Sequence, residues 1–205
     1  MRLITKTLLA AAVIAATPMM ASADSTFTAA ASPITASAHA DFSVTIPNFL
    51  YVRVGIGTAL ATNLGVSLIA FNPVAANLAN GTAVTATSGG DVSPGVVTAQ
   101  VIGNNGNNIT FESIVPNKLT DGVGGHTISY AQISTALTTG TLAPPALVDN
   151  TTTATTLTAV SGVVNQTATW TYTYLNSIAG GIPVAGTYGG ANVNNGRVTY
   201  TAIQL

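Results

Sequence analysis

The chain has 205 residues, of which 47% are hydrophobic and only 5% are charged, and its formal net charge at pH 7 is −1. Roughly 25% charged residues is usual in soluble domains, so the polar surface must consist mainly of Thr, Ser, Asn and Gly. The absence of a basic patch argues against nucleic acid as a partner. A nearly uncharged surface is poorly protected against self-association. It is either a neutral extracellular surface or one that is buried against copies of the same chain.

Residues 1–23 have the composition of a secretory signal peptide. Arg2 and Lys6 precede a short apolar run at residues 8–16, and residues 21–23 (Ala-Ser-Ala) form a small-x-small cleavage pattern. The apolar run is too short to span a bilayer. We therefore predict export of a mature chain without a membrane span, through the periplasm to the cell surface or the medium. The sequence has no cysteine, so stability must come from packing, strand pairing or assembly rather than from disulfides.

An extended N-terminal segment, residues 24–40, follows the cleavage site and is rich in Ala, Ser and Thr. From Ile34 to Ile46 apolar and polar residues alternate without a break, which predicts a half-buried β-strand. Two interpretations stay open: an intramolecular first strand, or a strand donated to a neighbouring subunit. The donor interpretation places five side chains in the neighbour: Phe27, Ile34, Ala36, Ala38 and Ala40.

Residues 41–205 predict one all-β domain, an antiparallel sandwich, because short runs rich in Thr and Val alternate with Gly, Asn and Pro. The predicted strands are 50–54, 66–71, 82–87, 96–102, 109–115, 127–133, 153–160, 163–175 and 197–203. Pro47-Asn48 predicts a bend or bulge before the first of these strands. Gly103–Asn108 predicts a hairpin turn, since Asn-Gly tolerates positive φ. Leu78–Ala86 and Tyr130–Leu137 are weak helical candidates.

The C-terminal sequence contains residues 186–188 (Gly-Thr-Tyr) and then an alternating strand at residues 198–202 (Val-Thr-Tyr-Thr-Ala). Together with the signal peptide and the N-terminal extension, these residues resemble secreted bacterial pilin-like β-sandwiches, the chaperone–usher pilins and spore-coat-U-like proteins. The resemblance implies an immunoglobulin-like domain that lacks one strand and is completed by a neighbour's extension. It implies copies of the chain, a periplasmic chaperone or an outer-membrane assembly factor as partners. The chain departs from many such pilins in having no cysteine pair and no penultimate Tyr at residues 203–205 (Ile-Gln-Leu).

Residues able to carry chemistry are few and scattered, so the sequence predicts no enzyme, no cofactor and no metal site. His39 shares a predicted strand face with Asp41, and His126 lies near Asp121 in a Gly-rich turn. Neither pair has the spacing of a zinc or hydrolase motif. Asp149 stands in a loop beside a Thr cluster, with too few carboxylates nearby to bind calcium well.

The sequence predicts a secreted structural subunit of a bacterial surface fibre, pilus or extracellular matrix, assembled head to tail by strand donation. The alternative is a cell-surface adhesin or glycan-binding module. That module would use Trp170, Tyr172 and Tyr174, which share one face of the most β-prone run and would stack on sugars. Since an aromatic row in a central strand is also typical of a core, both interpretations of these residues stay open at this point.

Overall fold

The computed structural model describes residues 24–177 and 181–204. The predicted signal peptide, residues 1–23, therefore lies outside the described residues. Almost all of the regular structure is β-strand, and the sheets are antiparallel, which confirms the predicted all-β fold. No helix within the two described ranges has the length and hydropathy needed to cross a bilayer.

The chain divides into two units, Met1–Ile46 and Pro47–Leu205, whereas the sequence analysis starts the sandwich at Asp41. We call residues 24–46 the leader. The leader contains no strand, and every one of its residues is exposed. Of the two interpretations left open for residues 34–46, the described residues do not show the intramolecular first strand, because 34–46 form no strand and pair with no other described strand.

The second unit contains eleven described strands and two short 3-10 turns. The strands are β1 (Leu50–Val54), β2 (Ala70–Phe71), β3 (Val84–Ser88), β4 (Val96–Gly103), β5 (Ile109–Val115), β6 (Leu119–Thr120), β7 (Thr127–Ile128), β8 (Ile133–Gly140), β9 (Thr151–Leu157), β10 (Val164–Tyr174) and β11 (Thr199–Gln204). The turns are Ala75–Asn77 and Tyr130–Gln132.

The longest strand, β10, forms the centre of the larger sheet. One edge of β10 pairs with β4 along Val164–Thr171 and then with β3 at Thr173 and Tyr174. Its other edge pairs with β8. Because β1 pairs with β4 and β2 pairs with β3, the main layer has the order β1-β4-β10-β8, with a short extension of β3 and β2. The end strands of this layer are β1 and β8.

The smaller sheet forms the second layer, with three strands in the order β11-β5-β9. Buried residues alternate along β4 and along β5, as expected for strands that face a common core. Trp170 of β10 and Phe111 of β5 are both fully buried, and their ring centroids lie 6.1 Å apart. The core is therefore built between the central strands of the two layers.

The Asn- and Gly-rich stretch Gly103–Asn108 connects the two layers instead of closing a hairpin. Since β4 pairs with β1 and β10, whereas β5 pairs with β9 and β11, the predicted hairpin is wrong. The stretch is long enough to cross the roughly 10 Å between packed sheets, and Gly106 takes the positive φ of 93° that its turn requires. Turn residues mark where the chain reverses, but they do not specify which sheet the next strand joins.

Four predicted strands are confirmed with almost unchanged bounds, and the first of them, 50–54, coincides with β1. The predicted strands at 96–102, 109–115 and 163–175 correspond closely to β4, β5 and β10. The predicted strand at 66–71 is reduced to Ala70–Phe71. The two helical candidates are wrong, because Leu78–Ala86 includes the start of β3 and Tyr130–Leu137 forms a 3-10 turn followed by β8.

Asn176 is fully buried just after β10 and binds the loop that precedes β3. Its Oδ1 accepts the Ala79 N–H at 2.8 Å, and its Nδ2 donates to the Asn77 and Thr82 carbonyls at 2.6 and 3.2 Å. Its own carbonyl accepts the Gly81 N–H at 2.9 Å. The amide of Asn176 thus satisfies backbone groups that would otherwise lose their partners, which is costly in a buried site.

Replacing Asn176 by alanine should lower the free energy of unfolding by roughly 3 kcal/mol, because several buried polar groups lose their partner. Alanine would also have to adopt the positive φ of 52° found at this position. Urea unfolding followed by tryptophan fluorescence measures the change. Asn165→Ala, at an exposed position of β10, is the matched control, and equal losses in the two variants would contradict this role.

Candidate assembly site

The end strands β1 and β11 lie on the same side of the sandwich and leave that side open. Among the described strands, β1 pairs only with β4 and β11 only with β5. The two end strands contact each other across the layers. We call the side of the sandwich that they border the β1/β11 groove. The register places six residues on its inner face: Leu50, Val52 and Val54 of β1 and Tyr200, Ala202 and Gln204 of β11.

The side chains of β1 that face the groove are only partly covered. Val52 lies opposite Val101 in the ladder, so the two side chains share the inner face of the sheet. Val101 is 0% exposed, but Val52 is 38% exposed and Leu50 is 42% exposed. Apolar side chains on the inner face of a sandwich normally pack against the other layer, so the core lacks cover at β1.

The groove-facing side chains of β11 are uncovered in the same way. Ala202 lies opposite Phe111, and Gln204 lies opposite Ile109. Phe111 and Ile109 are 0% exposed, whereas Ala202 and Gln204 are only half-buried. In both layers, therefore, full burial ends at the strand next to the open side.

The outer edge of β1 also presents unpaired backbone groups. Gly55 donates its N–H to the Thr98 carbonyl at 2.8 Å, and the Asn104 N–H lies 3.4 Å from the Phe49 carbonyl. In an antiparallel ladder, residues bonded to the partner strand alternate with residues whose N–H and C=O point away from it. Since Phe49 and Gly55 bond to β4, the residues that point away from β4 are Leu50, Val52 and Val54. Their N–H and C=O groups face the open edge. Such an edge is a template for a further strand.

An ion pair fixes β1 on its opposite face. Arg53 donates to Asp91 at 2.7 Å and to the Gly55 carbonyl at 2.8 Å, and Asp91 also accepts the Thr98 N–H at 2.8 Å. Burial raises the pKa of Asp91, but the Thr98 hydrogen bond and the Arg53 charge outweigh it and hold the pKa below its ordinary value. The strand with the open edge, β1, is therefore fixed to β4 and to the residues before it by Arg53 and Asp91.

The opposite side of the sandwich, between β8 and β9, is closed by the connection between these strands. Leu142 of this connection is fully buried, and its carbonyl accepts the Trp170 indole N–H at 2.7 Å. The Ser113 hydroxyl donates to the Ala146 carbonyl at 3.1 Å. Residues of the same chain thus occupy the space between the layers next to Trp170 on this side, although Leu137 of β8 remains 43% exposed. On the β1/β11 side the half-exposed inner-face residues belong to both layers.

Unfilled space borders the whole length of β1. A cavity of about 190 Å³ lies at its Val54 end, where Val97, Tyr172 and Tyr200 also contribute to the wall. A more open recess of about 520 Å³ lies between residues 49–52 and residues 60–63 of the same chain. The side chains around the cavity are mainly apolar, and Arg197 is the charged residue in its wall.

Three tyrosines contribute to the wall of this cavity. The hydroxyls of Tyr172 and Tyr200 lie 2.8 Å apart, and Tyr130 donates its hydroxyl to the Asn195 carbonyl at 2.5 Å. Burial raises the pKa of Tyr130 to about 12, with further contributions from Tyr200 and Asp149. Burial also raises the pKa of Tyr200 to about 12 and that of Tyr172 well above its ordinary value. All three hydroxyls are therefore neutral at physiological pH.

The predicted donor residues all lie in the exposed leader. Phe27 is 93% exposed and Ile34 is 54% exposed, and the other three are also exposed: Ala36, Ala38 and Ala40. The period-two face of Ile34, Ala36, Ala38 and Ala40 continues through three residues that the predicted donor set left out: Phe42 at 92%, Val44 at 85% and Ile46 at 75% exposure. Their alternation was visible in the sequence, but it was assigned to the sandwich because they follow Asp41.

The aromatic row of β10 belongs to the core. Trp170 is 0% exposed and Tyr172 is 7% exposed, while Tyr174 is half-buried and its ring lies 6.2 Å from that of Phe71. Since neither Trp170 nor Tyr172 offers a free ring face to a sugar, the interpretation of this row as a glycan platform needs correction. The inner face of a central strand is where large aromatic side chains bury most area.

Both histidines lie near carboxylates in exposed positions. His126 Nδ1 lies 2.6 Å from an Asp121 oxygen, and this hydrogen bond holds the pKa of Asp121 below its ordinary value. His39 lies 3.4 Å from Asp24. The His126 contact helps to order the Gly-rich turn, as Asp121 also accepts backbone N–H groups of that turn.

Asp149 holds a turn in place. Its two carboxylate oxygens accept the Ser129 hydroxyl at 2.6 Å and the Tyr130 N–H at 2.7 Å. Both oxygens are thus engaged with the Tyr130–Gln132 turn. In the part of the chain that the structure describes, no three His, Cys, Asp or Glu side chains are grouped as a metal ion would require.

Comparison with protein-family models, with curated proteins and with solved structures finds no match to this chain.

The raised tyrosine pKa values predict a loss of stability in alkali. Well below pH 10, Tyr130, Tyr172 and Tyr200 are protonated in both the folded and the unfolded state, so their contribution to stability is fully present. Between pH 10 and about 12 the unfolded chain ionises first, and each proton kept by the folded state reduces the free energy of unfolding by about 1.4 kcal/mol per pH unit. Denaturant unfolding at pH 8, 10 and 11.5 measures this fall. The decrease in the free energy of unfolding with pH should be smaller in Tyr130→Phe, which lacks one of these hydroxyls. The same decrease in the variant and the native protein would contradict the prediction.

Proposed function

We propose that this protein is a secreted structural subunit of a surface fibre, pilus or extracellular matrix, in which each leader adds a strand to the β1/β11 groove of a neighbouring copy. The observation that carries the proposal is the pairing of two complementary features in one chain. The groove has an unpaired edge and partly exposed inner-face side chains at Leu50 and Val52. The leader has an alternating apolar face and pairs with none of the described strands.

The dimensions of the two parts support the proposal. β1 has 5 residues and β11 has 6, so a donated strand of similar length would span the groove, roughly 20 Å. An extended leader, residues 24–46, is on the order of 75 Å long. It therefore has enough length both to fill a groove and to connect two subunits.

The chemistry of the two surfaces also fits. One face of the leader from Ile34 to Ile46 is apolar throughout, with alanines followed by bulkier side chains, and the cavity at the Val54 end of the groove is lined mainly by apolar groups. Backbone hydrogen bonds would supply part of the affinity, and side-chain pockets would fix the register. The largest leader rings, Phe27 and Phe42, are each of a size that the cavity beside Val54 can accommodate.

Strand donation gives a head-to-tail contact, because the leader and the groove are different surfaces. Such a contact forms an open filament unless the rotation between subunits closes a ring. The signal-peptide pattern at residues 1–23 supports assembly after export, with a periplasmic chaperone or an outer-membrane factor protecting the groove until then. The low charge of the chain is consistent with a surface made for contact with its own copies.

Removing residues 24–46 should abolish assembly while leaving a folded sandwich, because the core between β10 and β5 does not include the leader. Light scattering after size exclusion and electron microscopy measure polymer content. A synthetic peptide of residues 24–46 should bind the shortened protein and raise its melting temperature by several degrees. Polymers that persist without the leader would overturn the proposal.

Leu50→Asp should block uptake of the leader, because a carboxylate would then be buried in the groove without a partner. Leu137→Asp is the matched control. Leu137 is also an inner-face leucine on an end strand, with 43% exposure against 42% for Leu50, but it lies on the closed side. We expect at least a tenfold loss of peptide affinity in Leu50→Asp and less than a twofold change in the control. Equal affinities in the two variants would count against the groove as the binding site.

A further inference from the structure

We propose that Asn104 directs the leader towards a neighbouring subunit by holding the residues before β1 in an extended conformation. Without this hold, the leader would fold back along its own β1 and fill its own groove. The inference rests on the proposed function and adds to it a residue that decides between self-filling and donation.

The contacts of Asn104 lie at the junction between the leader and β1. Its Oδ1 accepts the Phe49 N–H at 2.8 Å, its Nδ2 donates to the Pro47 carbonyl at 2.9 Å, and its own N–H lies 3.4 Å from the Phe49 carbonyl. Phe49 and Asn104 continue the β1–β4 register, in which Leu50 pairs with Gly103. The side chain of Asn104 thus extends the ladder beyond the last backbone pair and keeps residues 47–49 in line with β1.

The sequence at this junction would otherwise favour a turn. Proline is preferred at the second position of common β-turns, and asparagine is among the residues that turns favour most. Residues 47–49 are also of the length that joins the strands of a three-residue hairpin. The predicted bend at Pro47-Asn48 is nevertheless wrong, because the structure has neither a bend nor a turn there. The two hydrogen bonds from the Asn104 side chain account for this difference.

A hairpin at this point would bring residues 42–46 against the open edge of β1. The groove would then be filled by Phe42, Val44 and Ile46 of the same chain. A segment tied by a short connection has an effective concentration in the millimolar range, whereas subunits in solution meet at micromolar concentration. An unrestrained leader would therefore fill its own groove at least about a hundredfold more often than a neighbour's. Assembly therefore requires an interaction that prevents a turn at residues 47–49. The side-chain amide of Asn104 bonds to Pro47 and Phe49 in this segment.

The test compares full-length Asn104→Ala with the full-length native chain at about 10 μM. Loss of the two side-chain hydrogen bonds should raise the monomer fraction about tenfold, since each such bond accounts for a several-fold shift in an equilibrium. The leader of the variant monomer should resist a protease that cuts the exposed leader of native monomers. Its melting temperature should be unchanged or higher, because fold-back covers the groove. A merely structural role of Asn104 would instead lower the melting temperature and leave the leader open to cleavage.

Asn105→Ala is the matched control in the same loop, because the Asn105 side chain accepts the neighbouring Asn107 N–H at 3.1 Å instead of bonding residues 47–49. It should polymerise like the native chain. Asn104→Asp keeps an acceptor for the Phe49 N–H but loses the donor to Pro47, so its monomer fraction should be intermediate. Native polymerisation of Asn104→Ala, or a leader that stays sensitive to protease in its monomers, overturns this inference alone. A native chain that forms no polymer overturns strand donation itself.

Discussion

The last strand of a sheet has a row of backbone N–H and C=O groups that only water or another strand can bond. In this protein that constraint coincides with an incomplete core. Full burial stops at Val101 in one layer and at Phe111 in the other, while their outward neighbours Val52 and Ala202 remain partly exposed. On the far side, Leu142 fills the equivalent space from within the chain. The open side therefore lacks both a hydrogen-bonding partner and a cover for apolar side chains, and a single added strand would supply both.

Much of the sandwich could be predicted from local patterns. The positions of β4, β5 and β10 were predicted closely. Their apolar and polar residues alternate with a period of two and include many branched or aromatic side chains, a pattern that favours a β-strand over other conformations. Their partners could not be predicted. Gly103–Asn108 contains strong turn residues, yet it joins two layers, and the choice between a hairpin and a crossing depends on burial across the whole core. The prediction also missed β8, since Ile133–Gly140 mixes small and polar residues whose strand conformation is fixed by pairing with β10.

The candidate site was predictable in part for the same reason. The alternation of the leader was visible in the sequence, but its boundary depended on where burial begins, and burial is not a local property. The groove itself had no sequence signal, because Leu50 and Val52 have the same pattern as residues on a covered strand. Asn176 and Asn104 are likewise indistinguishable in sequence from the many surface asparagines of this chain. Their roles follow from backbone groups that are distant in sequence and that only the tertiary fold brings within hydrogen-bonding distance.

The scarcity of charge has a structural counterpart at the groove. Natural end strands are commonly protected by charged side chains, because a second chain cannot pair there without burying them. β1 has a single charged residue, Arg53, which is paired with Asp91 on the opposite face, and β11 has none. Neither strand therefore places a charged side chain on the groove side, although Leu50 and Val52 are exposed there. For a protein that works alone, an unprotected apolar edge is a liability. For a subunit that must accept a neighbour's strand, the same edge is a requirement, and under strand donation the missing charges, the open edge and the alternating leader have one common cause.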